Sequence, residues 1–127
     1  MNEKNKNFEK RVNQRYNVKL PLSVGTERFQ FESITKNISC SGVYCKIDFF
    51  LSLMTKLEVK MNFSVVEDNK KVEKTFTANA VIVRIDPEYD QPGCEEYHVA
   101  LFFMGLKDEN RDTISLYIQQ TFLASNN

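Results

Sequence analysis

Arg11 and Arg15 stand four residues apart in a lysine- and asparagine-rich opening stretch, and Asn37-Ile38-Ser39-Cys40-Ser41-Gly42 begins 22 residues after Arg15. Guanidinium forks suit planar, electron-rich partners: guanine edges, carboxylates and phosphates. Their four-residue spacing puts both arginines on one side, about 6 Å apart at Cβ on a helix or roughly 13 Å apart along an extended chain. Asn and Ser add short-range hydrogen bonds, and Gly lets a backbone turn tightly or approach a ligand closely. The two motifs together describe half-sites for a small anionic nucleotide. The second also has a purely local alternative. Asn37 and Ser39 can bond their own backbone in Asx and Ser turns, with Gly42 at positive φ before the next strand.

The elements that must position these residues follow a period of two. Val18, Leu20, Leu22 and Val24 predict a half-buried first strand that holds Pro21 near an edge. Phe29 and Phe31 open a second strand running toward Thr35, and Val43 to Ile47 make a third. Leu57, Val59, Met61 and Phe63 alternate with Lys56, Glu58, Lys60 and Asn62, the cleanest strand pattern in the chain. Glu67-Asp68-Asn69-Lys70 predicts a hairpin loop. The fifth strand, Val72 to Ile85, ends in Ala80-Val81-Ile82-Val83, and the sixth runs from Tyr97 to Met104. Apolar residues on both faces there imply that both faces are covered. A helix capped by Asp108, with Ile114, Tyr117, Ile118, Thr121 and Phe122 in one stripe, is the expected cover for the outside of the sheet. Short turns between such strands favour a six-stranded antiparallel barrel, mainly β, with one C-terminal helix.

Composition narrows the function. A chain of 127 residues with 42% hydrophobic content implies one soluble domain with its own core. The 17 basic and 17 acidic residues cancel, which disfavours binding to a nucleic-acid polymer. Residues 1–20 are locally basic, with six Lys or Arg against two Glu, while Asp86 to Glu96 carries five acids and no base. No apolar run approaches the roughly 18 residues of a membrane span, and the opening is polar rather than signal-like, so membrane insertion is not expected and a cytoplasmic location is. Cys40, Cys45 and Cys94 are odd in number and lack a metal-type spacing, so neither disulfides nor zinc are expected. His98 is the only histidine and lies in an apolar strand pattern. Nothing in the sequence assembles an active site, and no enzyme is expected. Residues 1–10, low in apolar content, predict a flexible arm, and 11–124 a single domain.

The motif order resembles the PilZ domain, a bacterial receptor module for cyclic di-GMP. Its signature, Arg-x-x-x-Arg followed by Asp/Asn-x-Ser-x-x-Gly, is matched by Arg11, Arg15, Asn37, Ser39 and Gly42. The resemblance spans nearly the whole chain: six-stranded barrel, apolar closing strand, then the helix from Asp108. It implies that Arg11 and Arg15 bind the guanines and phosphates of cyclic di-GMP. Asn37 and Ser39 would contact guanine from the barrel surface, and Gly42 would leave room for the ligand and shape the strand entry. Asn at position 37 offers an amide where a carboxylate also occurs in the family. Lys10, Arg84 and Ser41 are additional candidates: Lys10 for phosphate, Arg84 at the end of its apolar strand, Ser41 inside the second motif. The implied function is a receptor that needs no cofactor. Its arm orders over cyclic di-GMP and signals to a downstream protein. The alternative is a ligand-free interaction subunit of motility or envelope machinery.

Overall fold

The computed structural model describes residues 14–123, so Lys10, Arg11 and the expected arm 1–10 lie outside the described residues. Its strands are β1 (Pro21–Gly25), β2 (Gln30–Ser39), β3 (Gly42–Ile47), β4 (Lys56–Glu67), β5 (Lys70–Asp86) and β6 (Tyr97–Met104). They close an antiparallel barrel in the spatial order β1-β2-β3-β6-β5-β4. β4 shows why. Leu57, Val59, Met61, Phe63 and Val65 are buried while every residue between them is exposed, as a pleated strand with one wet face requires. The β4–β5 turn places Asp68 at φ 52° and Asn69 at φ 65°. Two left-handed central residues match the right-handed twist of the strands they join.

The interior is aromatic at one end. Phe63 meets Phe76 at 5.9 Å and Tyr117 at 5.0 Å between ring centroids, and Phe76 meets Phe103 at 5.1 Å. Cys40 and Cys45 are buried free thiols, and burial pushes the Cys45 thiol up to about 12 against a lowering hydrogen bond from Ser33. Such a thiol acts as a small apolar group.

Several details depart from the sequence-based expectation. The helix α1 (Asp108–Ile118) does not roof the outside of the sheet: Tyr117 packs on Phe63, which belongs to the inward row of β4. β1 pairs with β4 only as far as Met61, so Phe63 and Val65 extend past it, and the helix covers the inner surface left there. Its N-cap is Lys107, with no side-chain cap bond, and Asp108 and Glu109 instead sit in the first turn. Carboxylates there complement the positive end of the helix dipole. Of the expected stripe, Ile114, Tyr117 and Ile118 are buried and Thr121 is exposed. Without a helical roof, the outer ends of β5 and β6 are covered only in part. Val81 and Ala100 are buried, but Val83 is 50% and Phe102 48% exposed.

The segment before β1 departs as well. Val18 and Leu20 do not join the ladder. A β-bulge between Thr35 and Asn37 shifts the register of β2, and the Thr35 side chain substitutes for a backbone partner. Leu20 N–H donates to Thr35 Oγ1 (2.9 Å), whose hydroxyl donates to the Val18 carbonyl (2.5 Å). Two backbone bonds between Tyr16 and Ile38, of 2.8 and 2.9 Å, then carry the segment along the far half of β2. After α1 the chain forms a π-helical turn, Gln119–Leu123. The Phe122 ring there packs tilted against Tyr16, 5.0 Å between centroids, and the Gln120 amide exchanges hydrogen bonds with the backbone of Val66.

Candidate ligand-binding face

The Tyr16–Ile38 pairing places the neighbouring Arg15 beside the second motif. Arg15 Nη1 donates to Asn37 Oδ1 at 2.9 Å, on an exposed surface. The bond uses one guanidinium N–H and one amide oxygen, leaving further N–H donors on both residues. The two sequence motifs therefore meet in space.

Strand register extends this point into a row. Asn37 pairs with Tyr44, Tyr44 with Ala100, and Ala100 with Arg84. One rung across β2, β3, β6 and β5 thus carries Asn37 at one end and Arg84 at the other. A bulge stands at each end, between Thr35 and Asn37 in β2 and between Ile82 and Arg84 in β5. Bulges re-aim side chains and bend a strand locally. Without them, strict alternation would set other side chains on this rung.

The remaining motif residues act on the backbone. Ser39 is 1% exposed and so is not on the barrel surface, where the motif resemblance would have it contact a base. Its hydroxyl accepts from Ser41 N–H at 3.2 Å and lies 3.1 Å from Ser41 Oγ, closing a Ser turn at the β2–β3 connection. Gly42 is not in the left-handed region expected for the local-turn alternative; among the described glycines only Gly93 and Gly105 are. Its requirement is steric: a Cβ would lie 2.0 Å from the Leu101 carbonyl oxygen of β6. Gly42 lets β3 and β6 approach.

Sequence reasoning missed the neighbours of Asn37. Lys36 Nζ lies 2.7 Å from His98 Nδ1 and 5.9 Å from the centre of the Tyr44 ring. An ammonium only donates, so Nδ1 accepts and the proton of the neutral ring sits on Nε2. Nε2 in turn is 3.8 Å from Glu96 Oε2. The rings of Tyr44 and His98 stack at 6.2 Å with 21° between planes. Tyr44 and His98 are visible in the sequence as ring-bearing polar residues of largely apolar strands, as Tyr97 is too. Only the register shows that they adjoin. A separate surface groove of about 790 Å³ runs over β1, lined by Pro21, Ser23, Glu32, Ile34 and Lys60 among others, and no motif residue borders it.

The model of the PilZ domain family matches residues 9–120. The chain belongs to the PilZ domain family. Solved structures agree on the fold. The Bacillus subtilis inhibitor of motility, MotI/DgrA, superposes with a TM-score of 0.64 at 15% identity, over 88% of this chain and 50% of that one. This PilZ chain therefore spans half the length of that protein. The PilZ domain of CeSA from a cellulose-synthesizing bacterium superposes with a TM-score of 0.54 at 16% identity, over 88% of this chain and 98% of that one. No curated protein sequence is significantly similar. Among the described residues no helix is long and apolar enough to cross a membrane.

Proposed function

We propose that this PilZ domain is a cytoplasmic receptor for cyclic di-GMP, with residues 11–124 forming the binding domain and residues 1–10 an arm in front of it, and that the ligand orders the stretch around Arg11 to Arg15 while the tip of the arm stays loose. The observation that carries this reading is the Arg15–Asn37 bond at one end of a bulge-flanked rung whose other end is Arg84. A cationic fork at each end of a shallow polar face suits a dinucleotide, which spreads two bases and two phosphates over a surface. Arg15 reads a guanine edge or clasps a phosphate, Arg11 supplies the second fork, and Lys10 adds charge toward a phosphate. Asn37 orients Arg15 and offers its amide N–H groups to a base. Ser39, Ser41 and Gly42 serve the site by shaping the β2–β3 turn, and Arg84 bounds it from β5.

The output is a change of surface, with a partner protein reading the ordered arm rather than a chemical product. Calorimetry with cyclic di-GMP, with cyclic di-AMP and GTP as controls, tests the reading. Saturable binding of cyclic di-GMP, much tighter than of cyclic di-AMP, is expected, because adenine presents an N6 donor where guanine presents the O6 acceptor. Absence of binding, or equal affinity for the two dinucleotides, overturns it and leaves the ligand-free interaction subunit. Trypsin reports on the arm: saturating cyclic di-GMP should slow cleavage after Arg11 and Arg15 while leaving cleavage after Lys4 and Lys6 unchanged.

A further inference from the structure

On the same outer face, one rung beyond Asn37–Tyr44–Ala100–Arg84, Gly42 pairs with Phe102 and Phe102 with Val81. Tyr44 and Phe102 therefore stand at opposite corners of a small square whose other corners, Ala100 and Gly42, offer a methyl group and no side chain. Diagonal positions on adjacent antiparallel strands lie about 7–8 Å apart. A planar ring held between two others needs about 3.5 Å on each side. The spacing fits one inserted ring.

The two diagonals from Tyr44 are occupied differently. Toward one side its ring already stacks on His98. Toward the other stands Phe102, 48% exposed and without a ring partner among the described residues. An aromatic side chain left standing on a strand, beside a floor of the two smallest residues, is a stack with a missing member. Asn37 with Arg15 borders the square on one side and Arg84 on the other. An electron-rich, hydrogen-bonding ring fits that surround better than an aliphatic side chain of a protein partner.

Resting on the cyclic di-GMP reading above, we propose that Tyr44 and Phe102 form an aromatic cleft that takes one purine base, completing a stack His98–Tyr44–base–Phe102. The rings supply affinity that is blind to base identity, and the bordering Arg15, Asn37 and Arg84 read the edge.

The test compares Tyr44→Thr, Phe102→Thr and Val66→Thr by calorimetry with cyclic di-GMP, and follows the Ala100 methyl signal by NMR. Val66 is the control, a 52% exposed apolar residue on β4. Where a threonine variant melts early, Phe102→Leu retains apolar bulk and removes only the aromatic face. Loss of about tenfold or more in affinity at Tyr44 and Phe102, unchanged affinity at Val66, and an upfield ligand-induced shift of the Ala100 methyl are expected. Tight binding by the wild type with undiminished affinity in both aromatic variants overturns the cleft and leaves the receptor reading standing. A wild type that ignores cyclic di-GMP overturns the receptor reading. The cleft is then judged with millimolar guanosine monophosphate: an Ala100 shift abolished in Phe102→Thr sustains it, and no shift overturns it.

Discussion

The β4–β5 hairpin and the β2–β3–β6–β5 face belong to one barrel, yet they are built differently. The hairpin pairs without interruption from Lys56↔Val81 to Glu67↔Lys70. Its wet side carries paired polar groups, Ser64 to Glu73 and Thr75 to Asn62 at 3.1 Å, and past the core Lys74 and Glu67, in phase with the inward row, bond at 2.7 Å. The other face is interrupted by a bulge in β2 and another in β5, and its wet side combines Arg15, Lys36, Arg84, an exposed Phe102 and the Tyr44–His98 stack. On a regular ladder, cross-strand neighbours can satisfy one another. Irregular strands break that self-satisfaction and bring together side chains that alternation would separate. On the proposed reading, the bulged face takes the ligand and the regular one holds the fold together.

The largest expected effect comes from breaking the regular side. Phe63→Ala removes a fully buried ring that contacts both Phe76 and Tyr117. It should cost about 3–5 kcal/mol in denaturant unfolding. A loss under about 1 kcal/mol would mean that the helix is not seated on the hairpin's inner row.

Next is Gly42→Ala, which drives a methyl carbon to 2.0 Å from the Leu101 carbonyl. Two strand backbones must part, and overpacking of this kind costs about 1–3 kcal/mol. Ligand affinity should fall as well, because the Gly42 and Phe102 rung widens. Unchanged stability and unchanged affinity together would show that β3 and β6 do not need this approach.

Arg15→Ala probes the bulged side alone. Arg15 is exposed and, among the described residues, its side chain bonds Asn37 alone, so the melting temperature should hardly move. Cyclic di-GMP affinity should fall about tenfold or more, the worth of a lost bidentate guanine contact. Retained affinity would detach the arm from the site.

These regions also differ in how legible they were. The hairpin was visible residue by residue, because Leu57 to Phe63 alternate and Asp68-Asn69 tolerates left-handed φ. The second strand was expected to run toward Thr35, but it continues to Ser39. Lys36 and Asn37 share the outward side across a bulge, and no periodic pattern announces an inserted residue. Likewise Arg84 was a candidate only as the end of an apolar strand, and the β5 bulge is what sets it on the rung of Asn37. The local-turn alternative for the motif already contained the Ser turn at Ser39, but not the close approach of β6 that Gly42 answers. Pairing register, a long-range property, decides both.

The smallest effect sharpens the comparison most, since it asks whether exposure and charge alone make a site. Lys74, opposite Phe63 on the hairpin, is half-buried and bonds Glu67 at 2.7 Å, a shorter ionic contact than those on the bulged face. Exposed ion pairs contribute little, because two solvated side chains lose entropy to gain a screened attraction. Lys74→Gln should therefore shift unfolding by no more than about 0.5 kcal/mol. It should also leave cyclic di-GMP affinity unchanged at physiological ionic strength, where a charge more than about 8 Å from the ligand is largely screened. Parallel titrations of Lys74→Gln and Arg15→Ala against the wild type make the contrast direct: both remove one positive charge. If both lost affinity alike, the ligand would be responding to net charge. A loss at Arg15 only would show that placement on the bulged face, rather than charge, makes the site.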